Sequence, residues 1–292
     1  MKLRVSEIFG GVDENAVSPV LQGEGYRLGK PSIFVRTFGC NFRCKNFGIK
    51  NLIAQKKNIE VQEIIENLVH YKSLEELPLV KTGCDSYFSV YPEFKKFTKD
   101  YDPEELVKII LDRQPPQKLS RCDIVFTGGE PLLHQSFFKC IIPSLDKHEQ
   151  NNITFETNGT IVLEDDLIEI MNRTNVQYLW SVSPKLKHSG HALHETFILE
   201  ALNSYNKVKN STLVLKFVIS EDNFDESELF TFIKGYAFNN IKVEDIFLMP
   251  EGGINDLRYE MNRKFVIDLC CRYGFRYSPR LQLELYGNKV GT

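Results

Sequence analysis

Short apolar segments rich in β-branched residues alternate with longer helical patterns along most of this 292-residue chain. Seven segments have the length and composition of strands: Ser32–Phe38, Asp123–Thr127, Ile153–Thr157, Tyr178–Ser183, Leu213–Ile219, Asp245–Met249 and Phe275–Leu281. Helical patterns lie between them, near residues 103–113, 135–148, 164–174, 192–206, 225–236 and 256–272. This alternation predicts parallel βα units, and therefore an α/β fold. Periodicity alone leaves open whether the sheet is doubly wound or forms a partial barrel.

Residues 45–83 differ from the rest of the chain in composition and in the pattern of their apolar residues. The first part is basic and irregular, and five apolar residues between positions 61 and 69 then follow a helical spacing after a candidate cap at Asn58. Pro78 closes the pattern. Because neither an internal repeat nor a low-complexity linker divides the chain, we predict a single domain, 1–292, in which 45–83 is a helical insertion.

Composition narrows the classes of function. The chain has no run of 18 apolar residues and no signal-peptide pattern at its N-terminus, so we expect neither a membrane span nor export. Seven cysteines in such a chain indicate the reducing cytoplasm, where they serve as metal ligands or packing more often than as disulfides. A net charge of −3 offers no field for attracting nucleic acid, and favours a small-molecule substrate.

Two of the cysteines, Cys40 and Cys44, have a C-x3-C spacing directly after a predicted strand. As a bare spacing, such a pair is most often two buried thiols or part of a zinc site. The candidates for a third ligand are Cys84, in a Gly-Cys-Asp-Ser run, and Cys122, for which burial at the start of a strand is the plainer explanation. The other three lie in helical patterns and are expected to be core or surface thiols: Cys140, Cys270 and Cys271.

Polar or glycine-rich residues follow several predicted strands, at the edge where parallel sheets collect their ligand sites. Thr127–Pro131 contains two glycines that leave backbone groups open to close approach, and a glutamate that could accept from an ammonium group; a plain glycine turn explains it equally well. Glu156–Gly159 and Ser183–Lys185 end two further strands. Gln22–Gly25 could present an amide and a carboxylate to a polar heterocycle, although its spacing alone favours a surface turn.

Together these residues resemble the radical S-adenosylmethionine (SAM) superfamily, and within it the family of the 7-carboxy-7-deazaguanine synthases. The cysteine pair and the Gly-Gly-Glu-Pro run are typical of the superfamily, whereas Gln22–Gly25 and Arg36 are typical of the family. The resemblance extends from Ser6–Phe9 to Leu248–Gly252 and covers most of the chain apart from 45–83.

One position departs from the family pattern. The third cysteine of the superfamily loop, separated from the second by two residues, would stand at position 47, which is Phe47 here. Some members of the family have longer spacings within this motif. We therefore predict that an insertion splits the loop and that Cys84 is its third ligand.

The resemblance implies a partial, modified (β/α) barrel that binds a 4Fe-4S cluster and SAM. Three cysteines, here Cys40, Cys44 and Cys84, would bind three irons and leave the fourth open to SAM. Cleavage of SAM would give a 5′-deoxyadenosyl radical, and no catalytic residue is implied beyond the cluster and SAM. The residues expected to line the SAM site are Gly83, Cys84, Asp85, Gly129, Glu130, Ser183, Pro184 and Lys185.

The resemblance also implies a substrate, 6-carboxy-5,6,7,8-tetrahydropterin, and a product, 7-carboxy-7-deazaguanine, formed with release of ammonia for queuosine or related modification of tRNA or DNA. Mg²⁺ would bind the hydroxyl after the Cys-Asp pair, which is Ser86 here where Thr is usual. An electron donor such as flavodoxin and a homodimeric assembly are further expectations. The residues expected to bind the substrate are Leu21, Gln22, Gly23, Glu24, Arg36 and Thr127.

Two other functions stay open at this point. A glycyl-radical activating enzyme would share the cluster loop, but its substrate is a protein, so it would not need Gln22, Glu24 and Arg36 around a small polar ring. A binding protein descended from the family without its cluster is the other, and Phe47 is the feature that favours it.

Overall fold

The computed structural model describes residues 1–12, 20–49, 58–116, 121–150, 152–237, 241–253 and 257–287. The strands are β1 (Leu3–Gly10), β2 (Ser32–Thr37), β3 (Lys99–Tyr101), β4 (Asp123–Gly128), β5 (Asn152–Thr157), β6 (Gln177–Val182), β7 (Ser211–Ile219), β8 (Ile246–Pro250) and β9 (Arg276–Tyr277). The α-helices are α1 (Ile59–Glu66), α2 (Pro103–Asp112), α3 (Gln135–Lys147), α4 (Asp165–Asn172), α5 (Leu193–Thr196), α6 (Leu199–Tyr205), α7 (Glu226–Ala237), α8 (Leu257–Tyr273) and α9 (Leu281–Tyr286).

All nine strands belong to one sheet, in the order β3-β1-β2-β4-β5-β6-β7-β8-β9. From β2 to β9 every pairing is parallel, whereas β1 runs antiparallel to both of its neighbours. The prediction of a mostly parallel α/β sheet is therefore confirmed. Side chains from β1, β2 and β4 to β8 line one common cavity, as the inner face of a curved sheet would.

The main core lies between the outer face of the sheet and the helices that cover it. Its centre is a row of stacked rings from successive elements: Phe126 on Phe155 at 5.5 Å, Phe155 on Trp180 at 5.0 Å, and Trp180 on Tyr205 at 4.8 Å between centroids. Because the strands are covered on both faces, β4 reads as a nearly continuous buried run rather than as an alternating one.

The segment 20–31, which leads into β2, lies along the inner side of this curved sheet. Its first part lines the cavity, and Gly23 O accepts a hydrogen bond from Leu281 N at 3.0 Å. Its second part reaches the amino-terminal ends of the strands, where Arg27 donates to Asp123 at 2.5 Å and to Thr154 at 2.9 Å. This segment gives the cavity a floor.

Residues 58–98 form a small apolar layer of their own beside the sheet. α1 begins at the predicted cap, where the Asn58 side chain accepts from Val61 N at 3.2 Å. α1 ends at Glu66, earlier than the apolar pattern suggests, so Val69 lies outside it and is 82% exposed. The buried members of the layer are Val61, Ile64, Leu74, Leu77, Tyr87, Phe88 and Phe94.

Two predicted elements differ in the structure. The helical pattern at 192–206 is interrupted between α5 and α6, where the Phe197 ring packs 4.8 Å from that of Tyr236. The strand predicted at 275–281 is only the two residues of β9, because Ser278 turns to accept from Gly25 N at 2.9 Å and Pro279 has no N–H to continue the ladder. In the described part of the chain no helix is both long and apolar enough to span a membrane.

Candidate active site

A cavity of about 1200 Å³ opens at the carboxyl ends of the parallel strands. Its wall includes three cysteines, and its floor is made of polar side chains from the strands and from the segment between β1 and β2. The predicted cluster and substrate residues therefore lie around one space. Predicted site residues that line it are Leu21, Gln22, Gly23, Glu24, Arg36, Cys40, Cys44, Gly83, Cys84, Asp85, Ser86, Thr127, Gly129, Ser183 and Lys185.

The three cysteines of the predicted split loop share this wall. Burial raises the pKa of the Cys44 thiol to about 12. The pKa of Cys84 is also raised well above its ordinary value, by burial first and then by the negative charges of Asp85, Cys44 and Cys40. Ionisation of Cys84 is thus opposed by Cys44 and Cys40, and that of Cys44 by Cys40. A cation between the three cysteines would offset both the cost of burying negative charge and this repulsion.

The competing candidate, Cys122, lies elsewhere. It directly precedes β4, whereas the cavity is at the end of that strand. The six residues 123–128 lie between it and Gly129 in the cavity wall, a distance of roughly 23 Å along extended chain. Cys122 is buried in the main core, as the plainer interpretation of the sequence predicts.

The chain returns to the cysteine loop at the position of the missing ligand. Gly83 N donates to Phe47 O at 2.8 Å, so Cys84 follows directly on a residue bonded to position 47. Gly83 has a φ of +81°, and a Cβ there would stand 3.3 Å from Cys44 O and 1.8 Å from the Asn58 amide nitrogen. Only glycine allows this approach. The structure thereby brings the residue before Cys84 into contact with position 47, where the family pattern has its third cysteine.

Three cysteines on one cavity wall have the ligand chemistry of an iron–sulfur cluster. Among the described residues, no three His, Cys, Asp or Glu side chains converge closely enough to hold one metal ion. The cysteines of a 4Fe-4S cubane bind three different iron atoms, so they surround a volume rather than meet at a point. The buried Cys44 and the half-buried Cys40 and Cys84 surround one cavity in this way, and the pKa of each thiol is raised.

The Gly-Gly-Glu-Pro turn after β4 packs against the cysteine loop. A Cβ at Gly129 would lie 2.0 Å from Gly39 O and 3.1 Å from the Cys40 Cβ, so the protein itself requires glycine there. The Glu130 carboxylate is fully buried and accepts from Thr157 Oγ1 at 2.8 Å and from Asn158 N at 2.7 Å. Burial raises its pKa to about 7. In this structure it is bonded to the protein, and its predicted contact with SAM stays a prediction.

The end of β6 contributes a cation near the cysteines. Lys185 lines the cavity and donates to Ser183 Oγ at 3.2 Å, and its positive charge lowers the pKa of Cys40 and Cys44 against the larger effect of burial. Pro184, between them, is the member of this predicted SAM-binding run that does not line the cavity.

Glu156 is the centre of the floor on the β4–β5 side. Gln22 Nε2 donates to its Oε1 at 3.2 Å, and Thr127 Oγ1 donates to its Oε2 at 2.7 Å. Two residues predicted to bind the substrate, Gln22 and Thr127, are therefore held by the carboxylate of Glu156. The sequence analysis noted Glu156 only as part of a strand end.

Glu24 is the centre of the floor on the opposite side. It accepts from Lys216 Nζ at 2.5 Å, from Gln282 Nε2 at 2.6 Å and more distantly from Arg280 Nε at 3.4 Å. Burial alone would raise its pKa, but Lys216 and Arg280 more than reverse this and hold it at about 2. Arg280 also reaches Asp85 at 3.1 Å, which connects the floor to the turn that carries Cys84.

Arg36 lies between the floor and the cysteine wall. Its Nε donates to Glu7 at 2.5 Å and its Nη1 donates to Ser86 Oγ at 2.8 Å, while the Phe9 and Phe88 rings cover the guanidinium at 5.6 and 5.8 Å. Its charge is thus fixed in place. An acceptor position of the Ser86 hydroxyl is used by this cation, so Mg²⁺ does not fit at Ser86 unless the bond opens.

Several residues of the site were not predicted. Lys216 interrupts the apolar run of β7, and a lysine at an inward position of such a strand is the signal that could have revealed it. Glu7 lies in a strand that the sequence did not indicate. Arg280 lies in the predicted strand 275–281 but directly precedes α9 in the structure, and Gln282, beyond that predicted strand, lies in α9.

Comparison with known proteins gives relatives over nearly the whole chain. No family model matches. A curated protein of Halobacterium salinarum named 7-carboxy-7-deazaguanine synthase is 29% identical over 93% of this chain and 89% of its own length. Proteins of the same name from Pyrobaculum aerophilum and Rhodopirellula baltica are each 26% identical over 99% of this chain, and over 97% and 91% of theirs.

Solved structures of Streptococcus suis SuiB are also similar, at 10% identity. The SAM-bound form has a TM-score of 0.36 over 53% of this chain and 38% of its own, and the form with precursor peptide SuiA has 0.43 over 61% and 42%. Our chain thus spans less than half of SuiB, and a likeness at this level carries no argument. The sequence relatives do: the chain is a homologue, over most of its length, of the curated 7-carboxy-7-deazaguanine synthases of archaea and bacteria.

Proposed function

We propose that the chain is a radical SAM lyase that converts 6-carboxy-5,6,7,8-tetrahydropterin to 7-carboxy-7-deazaguanine with loss of ammonia. The observation that carries this proposal is that one cavity combines three cysteines on its wall with a charged, hydrogen-bonded floor. The name shared by relatives over 93–99% of the chain supports the same reaction. The product would serve 7-deazaguanine modification of tRNA or DNA, as in queuosine biosynthesis.

The cysteine side of the cavity would hold the cofactors. Cys40, Cys44 and Cys84 are the proposed ligands of a 4Fe-4S cluster, and the backbone at Gly129 together with Ser183 and Lys185 is the proposed border of SAM. When bound, this pair supplies a carbon-centred radical that removes a hydrogen atom from the substrate. The protein would hold the cofactor side of the cavity at a fixed position relative to the substrate side and would limit the access of water.

The floor would orient the pterin. Glu24, kept ionised by its low pKa, is suited to the donor-rich, guanidine-like edge of the ring. The side-chain amide of Gln22 and the hydroxyl of Thr127 add polar contacts along the same floor, and Leu21 and Gly23 complete it. Arg36 is the proposed partner of the substrate carboxylate, because a guanidinium fixed by Glu7 is already oriented before the substrate arrives.

The proposal also includes a metal ion, an electron donor, a location and an assembly state, which rest on the resemblance to the family and on no contact in the structure. Mg²⁺ would bind Ser86 after its hydrogen bond to Arg36 opens. An electron donor such as flavodoxin would reduce the cluster, and the enzyme would work in the cytoplasm, as a homodimer and without binding nucleic acid directly.

The test is anaerobic reconstitution of the purified chain, an iron and sulfide count, and incubation with reductant, SAM, Mg²⁺ and 6-carboxytetrahydropterin. We expect a cluster, and 7-carboxy-7-deazaguanine by mass spectrometry. Cleavage of SAM without this product would contradict the proposal and favour an activating enzyme with a protein substrate. Failure to bind iron and sulfide would favour a binding protein that has lost the cluster.

A further inference from the structure

The predicted insertion leaves the cysteine loop and rejoins it through two short segments that run side by side. We call residues 46–48 and 81–83 the neck. Gly83 N donates to Phe47 O at 2.8 Å across it. Gly48, with a φ of +77°, packs so closely on the opposite segment that a Cβ would stand 2.3 Å from Lys81 O. The neck is therefore a backbone-to-backbone contact that tolerates no side chain at position 48.

The main body of the protein holds both segments of the neck. Gly48 N donates to Glu251 Oε1 at 2.6 Å, and the Glu251 side chain is only 11% exposed. Arg258 donates through Nη1 to Gly48 O and through Nη2 to Lys81 O at 3.5 Å. Glu251 directly follows β8 and Arg258 lies in the first turn of α8, so both are anchored in the sheet-and-helix framework.

The insertion holds the neck from its own side. Asn58, which caps α1, donates through Nδ2 to Thr82 O at 2.8 Å. Glu60, in the first turn of α1, accepts from Lys81 N at 2.7 Å and from Thr82 Oγ1 at 2.8 Å. The segment that ends in Cys84 is thus bonded to both the insertion and the main body.

We propose that Glu251 and Arg258 are positioning residues that clamp the neck and so place the third cysteine ligand. In an uninterrupted loop two intervening residues would fix the third cysteine covalently. Here a long segment separates Cys44 from Cys84, and non-covalent contacts must offset the entropy of closing it. Hydrogen bonds between charged side chains and backbone groups are among the stronger ones available for this task.

This inference rests on the proposed function for its purpose, but the placement of the thiols is testable without a cluster. Cluster-free protein is treated with dibromobimane, which bridges neighbouring thiols, and the bridged peptides are mapped. We expect wild-type protein to yield a bridge between Cys84 and Cys44 or Cys40. Glu251→Ala and Gly48→Ala should lower its yield by about tenfold or more, the scale on which residues that support metal ligands act.

Two matched variants control for effects unrelated to the neck. Gly274→Ala places a Cβ at a similar φ of +75°, but its nearest neighbour is a Val243 methyl at 3.6 Å, an ordinary contact. Glu244→Ala removes a carboxylate whose side chain is 67% exposed. Both should bridge like wild type. Circular-dichroism melting of each cluster-free variant shows whether it is folded, and Glu251→Gln, which keeps an acceptor for Gly48 N, should recover part of the yield.

The inference is overturned if folded Glu251→Ala and Gly48→Ala bridge as wild type does, or if wild type forms no bridge to Cys84. On reconstituted protein, we expect both neck variants to lose iron to a chelator about 10- to 100-fold faster than wild type and the two controls. Normal bridging without any cluster in wild type would contradict the proposed function and leave the clamp supported.

Discussion

At the scale of single residues, Cys84 is the position that decides whether the split loop binds a cluster. Cys84→Ala should abolish the visible absorbance and reduce iron and sulfide to background after reconstitution, because two thiolates cannot hold three irons. Cys122→Ala should leave the cluster intact, since Cys122 lies in the core at the other end of β4. Loss of the cluster from Cys122→Ala but not from Cys84→Ala would contradict the assignment.

The Arg36→Lys variant tests whether the donor geometry of Arg36, and not only its positive charge, is needed between the floor and the cysteine wall. A lysine keeps the positive charge but cannot donate to Glu7 and Ser86 through a planar fork or lie between the rings of Phe9 and Phe88 in the same way. We expect kcat/KM for 6-carboxytetrahydropterin to fall by the equivalent of about 2–5 kcal/mol. SAM binding measured by calorimetry should be retained. Arg272→Lys, on the exposed side of α8, is the control and should change neither quantity.

Single residues were predictable where chemistry and strand ends coincide, and not where a partner comes from far along the chain. Cys84 and Thr127 follow from local motifs, and the structure places Cys84 in the wall of the cavity and Thr127 in its floor. Arg280 contacts Glu24 although the two residues are 256 positions apart, and no local sequence pattern predicts this pair. The sequence also indicated Glu24 as a ligand for the substrate without indicating that Lys216 already neutralises it.

At the scale of elements, the side chain that caps α1, Asn58, also bonds to the segment that leads to Cys84. Asn58→Ala removes the cap of α1 and the bond to Thr82 O together. We expect a loss of about 1–2 kcal/mol in the free energy of unfolding, measured by denaturant titration, and faster proteolysis within 58–83. Asp102→Ala removes the cap of α2 alone, where Asp102 accepts from Glu105 N at 2.9 Å. It should cost a similar free energy without exposing 58–83 to protease, and equal proteolysis of both variants would contradict this role.

Elements were predictable where one period dominates the pattern. β4 to β8 and the long helices appear close to their predicted bounds, because buried parallel strands are uniformly apolar. β1 was missed because it is antiparallel on both sides and carries a bulge between Val5 and Glu7, which breaks the alternation of its side chains. The short β3 and the turn into α9 depend on contacts with distant segments, which no local pattern records.

At the scale of the whole molecule, Glu130 makes stability depend on pH. Its pKa rises from an ordinary value of 4.5 to about 7 on folding, so the folded protein binds the proton more tightly than the unfolded chain does. This contribution is complete below pH 4.5 and is lost as the pH rises through 7. Relative to Glu130→Gln, wild-type cluster-free protein should therefore lose about 3 kcal/mol of unfolding free energy between these limits.

Denaturant titrations over a series of pH values measure this difference. Glu200→Gln, at an exposed position, serves as the control and should follow the wild-type slope. A wild-type curve parallel to that of Glu130→Gln from pH 4.5 to 7.5 would show that the carboxyl does not change its proton affinity on folding.

The position of residues 20–31 at the floor of the cavity has a consequence for the order in which ligands bind. Gln22 and Glu24 form part of the floor, and a few residues later Arg27 is bonded to Asp123 and Thr154 near the amino-terminal ends of β4 and β5. In the described part of the chain the cavity opens at the carboxyl ends of the strands, and the cysteine loop follows the end of β2, so a ligand reaches the cysteine wall before the floor. Because the substrate is proposed to lie at the floor and SAM at the cysteine wall, we expect ordered binding, with the pterin binding before SAM and the product leaving after the cleaved nucleoside.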